Sequence, residues 1–317
     1  MNLLFPAREL SADDWLRIEG AFTQEQSDMV TRDVWTRLGM SAEDKSTWTR
    51  LRTNMPCHST FDAAQFAPRA WAAICELCGG EDKIAPDSKL WRDSLIVNLG
   101  SAEGEGKPVP PHDLPGWHVD GDFFVHYLDS PEQGLLVIPL FTDIQSEGGG
   151  TMICPEAIPK VAKHLYAHPE GVSPRMTPRG EPEFKKEKDL AWFNNLAKTC
   201  TGFVEATGKV GDIYLLHPLM LHSATSNARR NLRIITNPPV SLREPFEFDR
   251  ADGNFSLVEQ TTMRALGKNR LDDFKIAAPR EEVVPERVRI QEKMKLEELE
   301  RLKAAKLESA TEISASA

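Results

Sequence analysis

The sequence predicts a mainly β domain, a sandwich or barrel, with α-helices flanking it. From about Leu90 onward, short apolar runs rich in β-branched residues are separated by Gly, Pro and Asp, which is typical of strands joined by turns. These runs are SLIVNLG, FFVHYL, GLLVIPLF, GTMICP, DIYLLH and LRIITNPPV. A chain of 317 residues with 40% hydrophobic composition can bury a sizeable core, and β-rich domains of this length are commonly single. We therefore expect one principal domain over residues 90–280.

The segment before residue 90 predicts helices. Ser11 has the character of an N-cap before DDWLRIEGAF, and Thr23 with Gln26 forms a capping-box pattern before apolar residues at helical spacing. The stretch FAPRAWAAICEL, followed by Gly79 and Gly80, predicts another helix with a glycine stop. We interpret residues 1–89 as a helical scaffold packed on the core.

Two further segments differ from the strand pattern. Residues 169–190 are rich in Pro and charge, cannot form a core strand, and are interpreted as a lid or insertion. Residues 281–317 contain RVRIQEKMKLEELERLKAAKL, whose narrow stripe of Leu296, Leu299 and Leu302 predicts an exposed charged helix. The final ESATEISASA is expected to be disordered. A coiled-coil or dimer arm is the alternative interpretation of this helix, so the oligomeric state stays open, with a homodimer among the options.

Composition narrows the class of partner and the compartment. The formal net charge is −10, from 48 acidic and 38 basic residues, which argues against binding to nucleic acid or to an anionic membrane. We expect a small-molecule substrate. The start lacks a basic segment followed by an apolar run, and no stretch reaches transmembrane length. Five scattered cysteines are a poor match to a disulfide framework, so a cytoplasmic location is expected.

The motif GWHVDGD carries the main candidate for chemistry. His118 and Asp120 are two residues apart, so on a strand their side chains lie on one face. With the distant His222 they form two imidazoles and one carboxylate, the ligand set of facial non-haem Fe(II) sites. Three protein ligands leave the metal half open, as an oxygenase requires, although a hydrolytic zinc enzyme could use similar ligands. Asp122 is a competing ligand by the same alternation. Taken alone, each histidine is more often a structural residue whose hydrogen bonds are satisfied, and the aspartate is more often a turn residue. The joint pattern of the three residues favours a metal site.

Arg233 is the candidate for binding a carboxylate. It lies eleven residues beyond His222 and opens a β-branched run, so a hairpin would bring it back beside the strand that carries His222. A planar guanidinium suits the distal carboxylate of a dicarboxylic oxoacid. A surface or salt-bridged arginine is the plainer alternative, and Arg229 and Arg230 are competitors in the predicted turn.

The segment GDIYLLHPLMLHSATSNARRNLRI resembles the distal-histidine segment of the phytanoyl-CoA dioxygenase family, and WHVDGD resembles that family's proximal motif. Between them, LLVIPLFTDIQSEGGGTMICPEAIPK is similar to the family's strand, acidic turn, glycine-containing turn and strand, and SLIVNLGS to the strand that enters the metal motif. The resemblance covers roughly Leu90 to Val240. It departs at residues 155–160, where the family ends the strand in P-G-S-H-K, and again in the insertion after Pro169.

The resemblance implies a double-stranded β-helix core, the jelly-roll or cupin-like fold, with iron at one open end. Carried over by position, the resemblance implies that the Fe(II) ligands are His118, Asp120 and His222. It implies that Arg233 binds the carboxylate of 2-oxoglutarate, and that Asn98 and Thr151 make further polar contacts to that cosubstrate.

The reaction implied is the oxidation of a small or medium organic substrate by O2, in a setting such as secondary metabolism, with release of succinate and CO2. Hydroxylation, desaturation, cyclisation and epoxidation are all compatible. Halogenation is disfavoured because halogenating relatives lack the carboxylate that Asp120 supplies here. The alternatives are a metal-dependent hydrolase or isomerase on the same barrel without 2-oxoglutarate, and a non-catalytic barrel, which would be expected to lack a ligand.

Overall fold

The computed structural model describes residues 14–186 and 188–315. Its strands are short and its helices lie mostly near the two ends of the chain. The strands are β1 Trp15–Ile18, β2 Arg52–Asn54, β3 Thr60–Asp62, β4 Leu90–Arg92, β5 Ile96–Asn98, β6 Leu135–Pro139, β7 Thr151–Cys154, β8 Val204–Ala206, β9 Ile213–Leu216, β10 Leu221–Ala224, β11 Arg233–Ile235 and β12 Pro239–Val240. The helices are α1 Gln24–Thr31, α2 Val34–Leu38, α3 Ala63–Phe66, α4 Pro68–Leu77, α5 Ile158–Ala167, α6 Ala191–Ala197, α7 Leu257–Ala265 and α8 Arg287–Ala315.

The described strands form antiparallel sheets with helices beside them, as the sequence predicts. One sheet has the order β1-β9-β6-β12, a second β10-β7-β8, a third β11-β5-β2, and β3 pairs with β4. An isolated bridge between Leu140 and Ile235 joins the end of β6 to β11. Every residue of β6 and β9 is buried. These two strands therefore read as continuous apolar runs in the sequence, as strands covered on both faces do.

The start of the described chain differs from its prediction. Ser11 lies outside the described residues, and the helix expected after it is instead strand β1, which pairs with β9. Burial alternates along Trp15–Ile18, which is the period of a half-covered strand, and the ion pair between Arg17 Nη2 and Asp212 Oδ2 (2.7 Å) ties β1 to the start of β9. Residues 14–89 thus form helices and also contribute strands to the sheets.

The helix predictions farther along are confirmed. Helix α1 begins with the capping box of Thr23 and Gln26, and α4 covers the apolar stretch that ends before Gly79. Helix α8 begins at Arg287 but continues to Ala315, so residues 308–315, expected to be disordered, are helical. No Gly or Pro interrupts the chain after Leu307, and its Glu and Ala residues favour helix. None of the described helices combines the length and apolar character that crossing a membrane requires.

Helix α8 is held to the domain by a buried charge. Glu298 is 1% exposed, while Leu296 in the predicted apolar stripe is 66% exposed. Glu298 Oε2 accepts hydrogen bonds from Arg37 Nε and His58 Nε2, both at 2.8 Å. Arg37 also donates to Asp93 Oδ2 at 3.1 Å. The helix therefore docks through a carboxylate on its inner face, because a buried charge is retained only where it is paired.

The Glu298→Ala substitution is expected to lower the free energy of unfolding by about 3 kcal/mol, because it removes the carboxylate shared by the buried Arg37 and the partly buried His58. Denaturant unfolding measures the effect. The matched control is Glu297→Ala, a neighbouring position that is exposed. Equal effects of the two substitutions would contradict the anchoring role of Glu298.

Candidate metal centre

Backbone pairing brings the two halves of the metal motif together. The residue His222 lies on β10, and His118 lies in the segment that bridges to it. The His118 N–H donates to the His222 carbonyl and the His222 N–H donates to the His118 carbonyl, both at 2.9 Å. The two rings consequently lie side by side, with centroids 4.3 Å apart. A pair of residues far apart in sequence is thus held at fixed register.

The carboxylate of Asp120 completes the cluster. Its Oδ1 atom lies 3.4 Å from His118 Nε2 and 3.5 Å from His222 Nε2. Ligand atoms of the three residues all lie within 4.8 Å of one another, and among the described residues this is the group of His, Cys, Asp and Glu that could hold a metal ion. The structure therefore brings together the three residues that the sequence predicts as metal ligands.

Both imidazoles are oriented by backbone carbonyls. His118 Nδ1 lies 2.8 Å from Gly116 O, and His222 Nδ1 lies 3.0 Å from Met220 O. With Nδ1–H donating to a carbonyl, each neutral ring presents the lone pair of Nε2 to the cluster. This tautomer leaves Nε2 of both rings free to bind a metal.

The electrostatics of the cluster favour a cation. Burial alone would raise the pKa of Asp120, but hydrogen bonds to His118 and His222 outweigh it and hold the pKa well below its ordinary value. Burial would lower the pKa of His222, yet the Asp120 carboxylate raises it above the ordinary value. The ionised Asp120 carboxylate thus attracts positive charge to the position that a divalent ion would take.

The turn after Asp120 is fixed by a glycine and a buried histidine. Gly121 has φ +120°, and a Cβ there would lie 2.6 Å from the Phe124 ring and 2.7 Å from the His126 ring. The His126 ring stacks on Phe124 at 4.5 Å, and its Nε2 lies 2.7 Å from Gly121 O. Burial lowers the pKa of His126 to about 4, so this ring is a neutral donor to the carbonyl. This packing fixes the backbone turn that directly follows Asp120.

Arg233 is a buried cation without a carboxylate partner among the described residues. It is 1% exposed. Its Nη2 donates to Thr151 Oγ1 at 3.1 Å and its Nη1 to Ile96 O at 3.4 Å, while its buried Nε has no partner within the described chain. Burial, followed by the like charge of Arg52, lowers the pKa of Arg233 to about 9. A buried cation is costly without an anionic partner, so the surroundings of Arg233 favour the binding of an anion.

The two further predicted residues lie near Arg233 but are used differently. The Thr151 hydroxyl accepts from the guanidinium and so stands beside it. Asn98 pairs in register with Arg233, but its amide is taken up by backbone groups: it donates to Thr225 O at 3.2 Å and accepts from Gly100 N at 3.1 Å. Asn98 therefore ties β5 to the neighbouring sheet.

Two residues at the site were missed by the sequence analysis. Asn237 donates to Asp120 Oδ2 at 3.2 Å. It lies four residues after Arg233, so strand alternation could have placed it on the same face. Arg287 holds both oxygens of Asp122, with Nε–Oδ2 at 2.5 Å and Nη2–Oδ1 at 2.6 Å. No sequence signal connects that pair. Asp122, the competing ligand, is outside the metal cluster.

The chain was compared with known proteins. No protein-family model matches it, and no curated protein matches it. Among solved structures it is similar to the non-haem alpha-ketoglutarate-dependent carbocyclase SnoK from nogalamycin biosynthesis, with 16% identity, a TM-score of 0.41, and coverage of 76% of this chain and 84% of that one. EctD from S. alaskensis gives 17% identity, a TM-score of 0.40 and coverage of 74% and 76%.

A putative oxidoreductase from Salmonella typhimurium LT2 gives 12% identity, a TM-score of 0.42 and 82% coverage of both chains. At these identities and TM-scores the likenesses carry no weight for function.

The Gly121→Ala substitution is expected to cost about 1–3 kcal/mol more than Gly106→Ala, because both positions have positive φ but only Gly121 faces rings that a Cβ would strike. It should also weaken Co(II) binding by redirecting Asp120. Denaturant unfolding and Co(II) titration measure the two effects. If the two glycines gave the same loss, the packing of the turn would not set the ligand geometry.

Proposed function

We propose that the protein is an Fe(II)- and 2-oxoglutarate-dependent dioxygenase that oxidises a small or medium organic substrate. The observation that carries this proposal is the combination of an open three-ligand cluster with a buried arginine that has no carboxylate partner in the described chain. The resemblance to the phytanoyl-CoA dioxygenase family supports it. Release of succinate and CO2 follows from the same proposal, with hydroxylation, desaturation, cyclisation or epoxidation as the outcome.

The ligand cluster fits a divalent metal. Asp120 Oδ1 stands 3.4 and 3.5 Å from the two Nε2 atoms. Ligand bonds of about 2.1 Å place neighbouring ligand atoms about 3 Å apart, so a small contraction around an ion satisfies all three. Two imidazoles with one carboxylate are the set that holds Fe(II) while leaving positions open. When bound, the iron and its oxoacid supply the oxidising chemistry, and the protein supplies binding and orientation.

The Arg233 region fits the distal carboxylate of 2-oxoglutarate. The buried guanidinium has an N–H without an acceptor in the described residues, and Thr151 offers a hydroxyl beside it. A carboxylate there would restore the charge pairing that burial demands, through the planar two-point contact that arginine makes. Arg233 and Thr151 would thus orient the oxoacid with its other end toward the metal ligands, while Asn98 holds the sheets that carry them in place.

The residues of this chain would act by positioning and by excluding water. Gly116 O and Met220 O fix the imidazole tautomers, and Asn237 holds one oxygen of Asp120. Asp120 keeps its charge next to both rings, so the site selects a cation. The burial of Arg233 keeps water away from the carboxylate contact and strengthens it.

We also propose the finer organisation that the resemblance implies. The core of residues 90–280 would be a double-stranded β-helix, and side-chain contacts between strands of different sheets, such as Arg233 to Thr151 and Asn98 to Thr225, support this proposal. The N-terminal scaffold (1–89), the lid (169–190) and the C-terminal segment (281–317) would surround it. We propose a cytoplasmic enzyme with a small-molecule substrate.

Anaerobic reconstitution with Fe(II) and 2-oxoglutarate is expected to give the visible charge-transfer band of the chelate. Asp120→Ala should abolish the band by removing a ligand. Arg233→Ala should weaken 2-oxoglutarate binding by about 30-fold or more, since losing one partner of a buried charge pair costs about 2 kcal/mol or more. Absorbance titration measures both.

The matched control is Arg243→Ala, an exposed arginine. It should leave the band and the affinity unchanged. If iron-loaded wild type gave no band, the 2-oxoglutarate assignment would be wrong, and a metal-dependent hydrolase or isomerase on the same three ligands would take its place.

A further inference from the structure

A second carboxylate stands next to the metal ligands but is held apart from them. Asp122 follows Asp120 by two residues, and the sequence alone made it a competing ligand. In the structure both of its oxygens are bonded to Arg287, at 2.5 and 2.6 Å. The ion pair is half-exposed, with side-chain exposures of 46% for Arg287 and 31% for Asp122. The Asp122 carboxylate is therefore paired with the Arg287 guanidinium and lies outside the group of candidate metal ligands.

Arg287 is brought to this position by strand-like pairing of the chain before α8. Val283 N–H donates to Phe123 O at 2.7 Å, and Val125 N–H donates to Glu281 O at 2.9 Å. An antiparallel bridge between Phe124 and Glu282 lies between these bonds. The segment that precedes α8 thus runs directly beside the chain that follows the metal motif.

The other end of α8 is fixed as well. Eleven residues beyond Arg287, the buried Glu298 bonds to Arg37 and His58. Arg287 is consequently held between a backbone pairing and a buried ion-pair network. A half-exposed ion pair alone contributes little to stability, so this much support for one guanidinium points to a role other than stability.

The role follows from what Asp122 could otherwise do. A free carboxylate next to a divalent ion is a ready ligand, and Gly121 between the two aspartates supplies the turn that separates them. A fourth protein ligand would take one of the open positions. An oxygenase needs those positions for the two atoms of the oxoacid and for dioxygen. The guanidinium of Arg287 lies beside the cluster segment, because it bonds to both oxygens of Asp122, two residues from the candidate ligand Asp120.

We propose that Arg287 keeps the metal centre open by holding Asp122 away from the metal. This inference rests on the proposed function, because an open site matters only for a reaction that fills it. Arg287 is a positioning residue: it touches neither metal nor cosubstrate and acts through Asp122. The C-terminal helix is then part of the active site, since it carries the residue that determines how many carboxylates the metal receives.

The experiment compares four full-length proteins: Arg287→Gln, Asp122→Asn, the double variant and wild type. Co(II) binding is followed by the visible ligand-field spectrum, and anaerobic Fe(II) with 2-oxoglutarate by the charge-transfer band. Arg287→Gln should bind Co(II) about tenfold more tightly with a changed spectrum and bind 2-oxoglutarate about tenfold more weakly, a size typical of changes around metal ligands. Asp122→Asn and the double variant should keep the wild-type spectrum and 2-oxoglutarate affinity.

The control is Arg289→Gln, an exposed position on the same helix. It should match wild type in every measurement. If Asp122→Asn and Arg287→Gln both weakened Co(II) binding alike, the pair would only brace the loop and the proposal would be overturned. A changed Co(II) spectrum that persisted in the double variant would also overturn it, because Asp122 would not be the new ligand.

The two proposals fail in different ways. Wild type that binds Co(II) but not 2-oxoglutarate would remove the oxygenase assignment, while the Co(II) spectra would still decide whether Arg287 governs Asp122. Wild type that binds no divalent metal would overturn both.

Discussion

The candidate site depends on one antiparallel contact, the reciprocal hydrogen bonds between the backbones of His118 and His222. This contact joins two segments that lie far apart along the chain and sets them in register. A shift by one residue would send one imidazole to the opposite face and dissolve the cluster. Two features support this register. The sheet β10-β7-β8 holds the strand that carries His222, and Gly121 packs against Phe124 and His126 in the turn after Asp120.

Many features of the fold and of the candidate site could be predicted from the sequence, because they depend on neighbouring residues or on a periodic pattern. The spacing of His118 and Asp120, the apolar runs of β6 and β9 and the capping box of α1 each record their structure in a few neighbouring residues. The strand at Trp15–Ile18 was mistaken for a helix because four residues are too few to establish a period, and its identity depends on pairing with β9. Tertiary context overrode local preference there.

The supporting residues of the site could not be predicted for a related reason. Asn237, Arg287 and Glu298 act across the fold, and each belongs to a residue type that is common on any surface. The charged composition of α8 indicated a solvated helix, and it is largely solvated. Its docking contacts include one buried carboxylate, Glu298, whose burial no sequence pattern reveals. Long-range charge pairing leaves no periodic trace in a single sequence.

Two buried arginines differ in whether a carboxylate of the described chain pairs with their charge. Arg37 is surrounded by the carboxylates of Glu298 and Asp93, so its charge is satisfied and its role is to hold α8. Arg233 is equally buried, yet within the described chain it has only a hydroxyl and a carbonyl for partners, and burial lowers its pKa to about 9. Burying a cation without an anion destabilises a fold. Under the proposed function the missing anion arrives from solution, and the side-chain contact to Thr151 puts the guanidinium beside the sheet that carries His222.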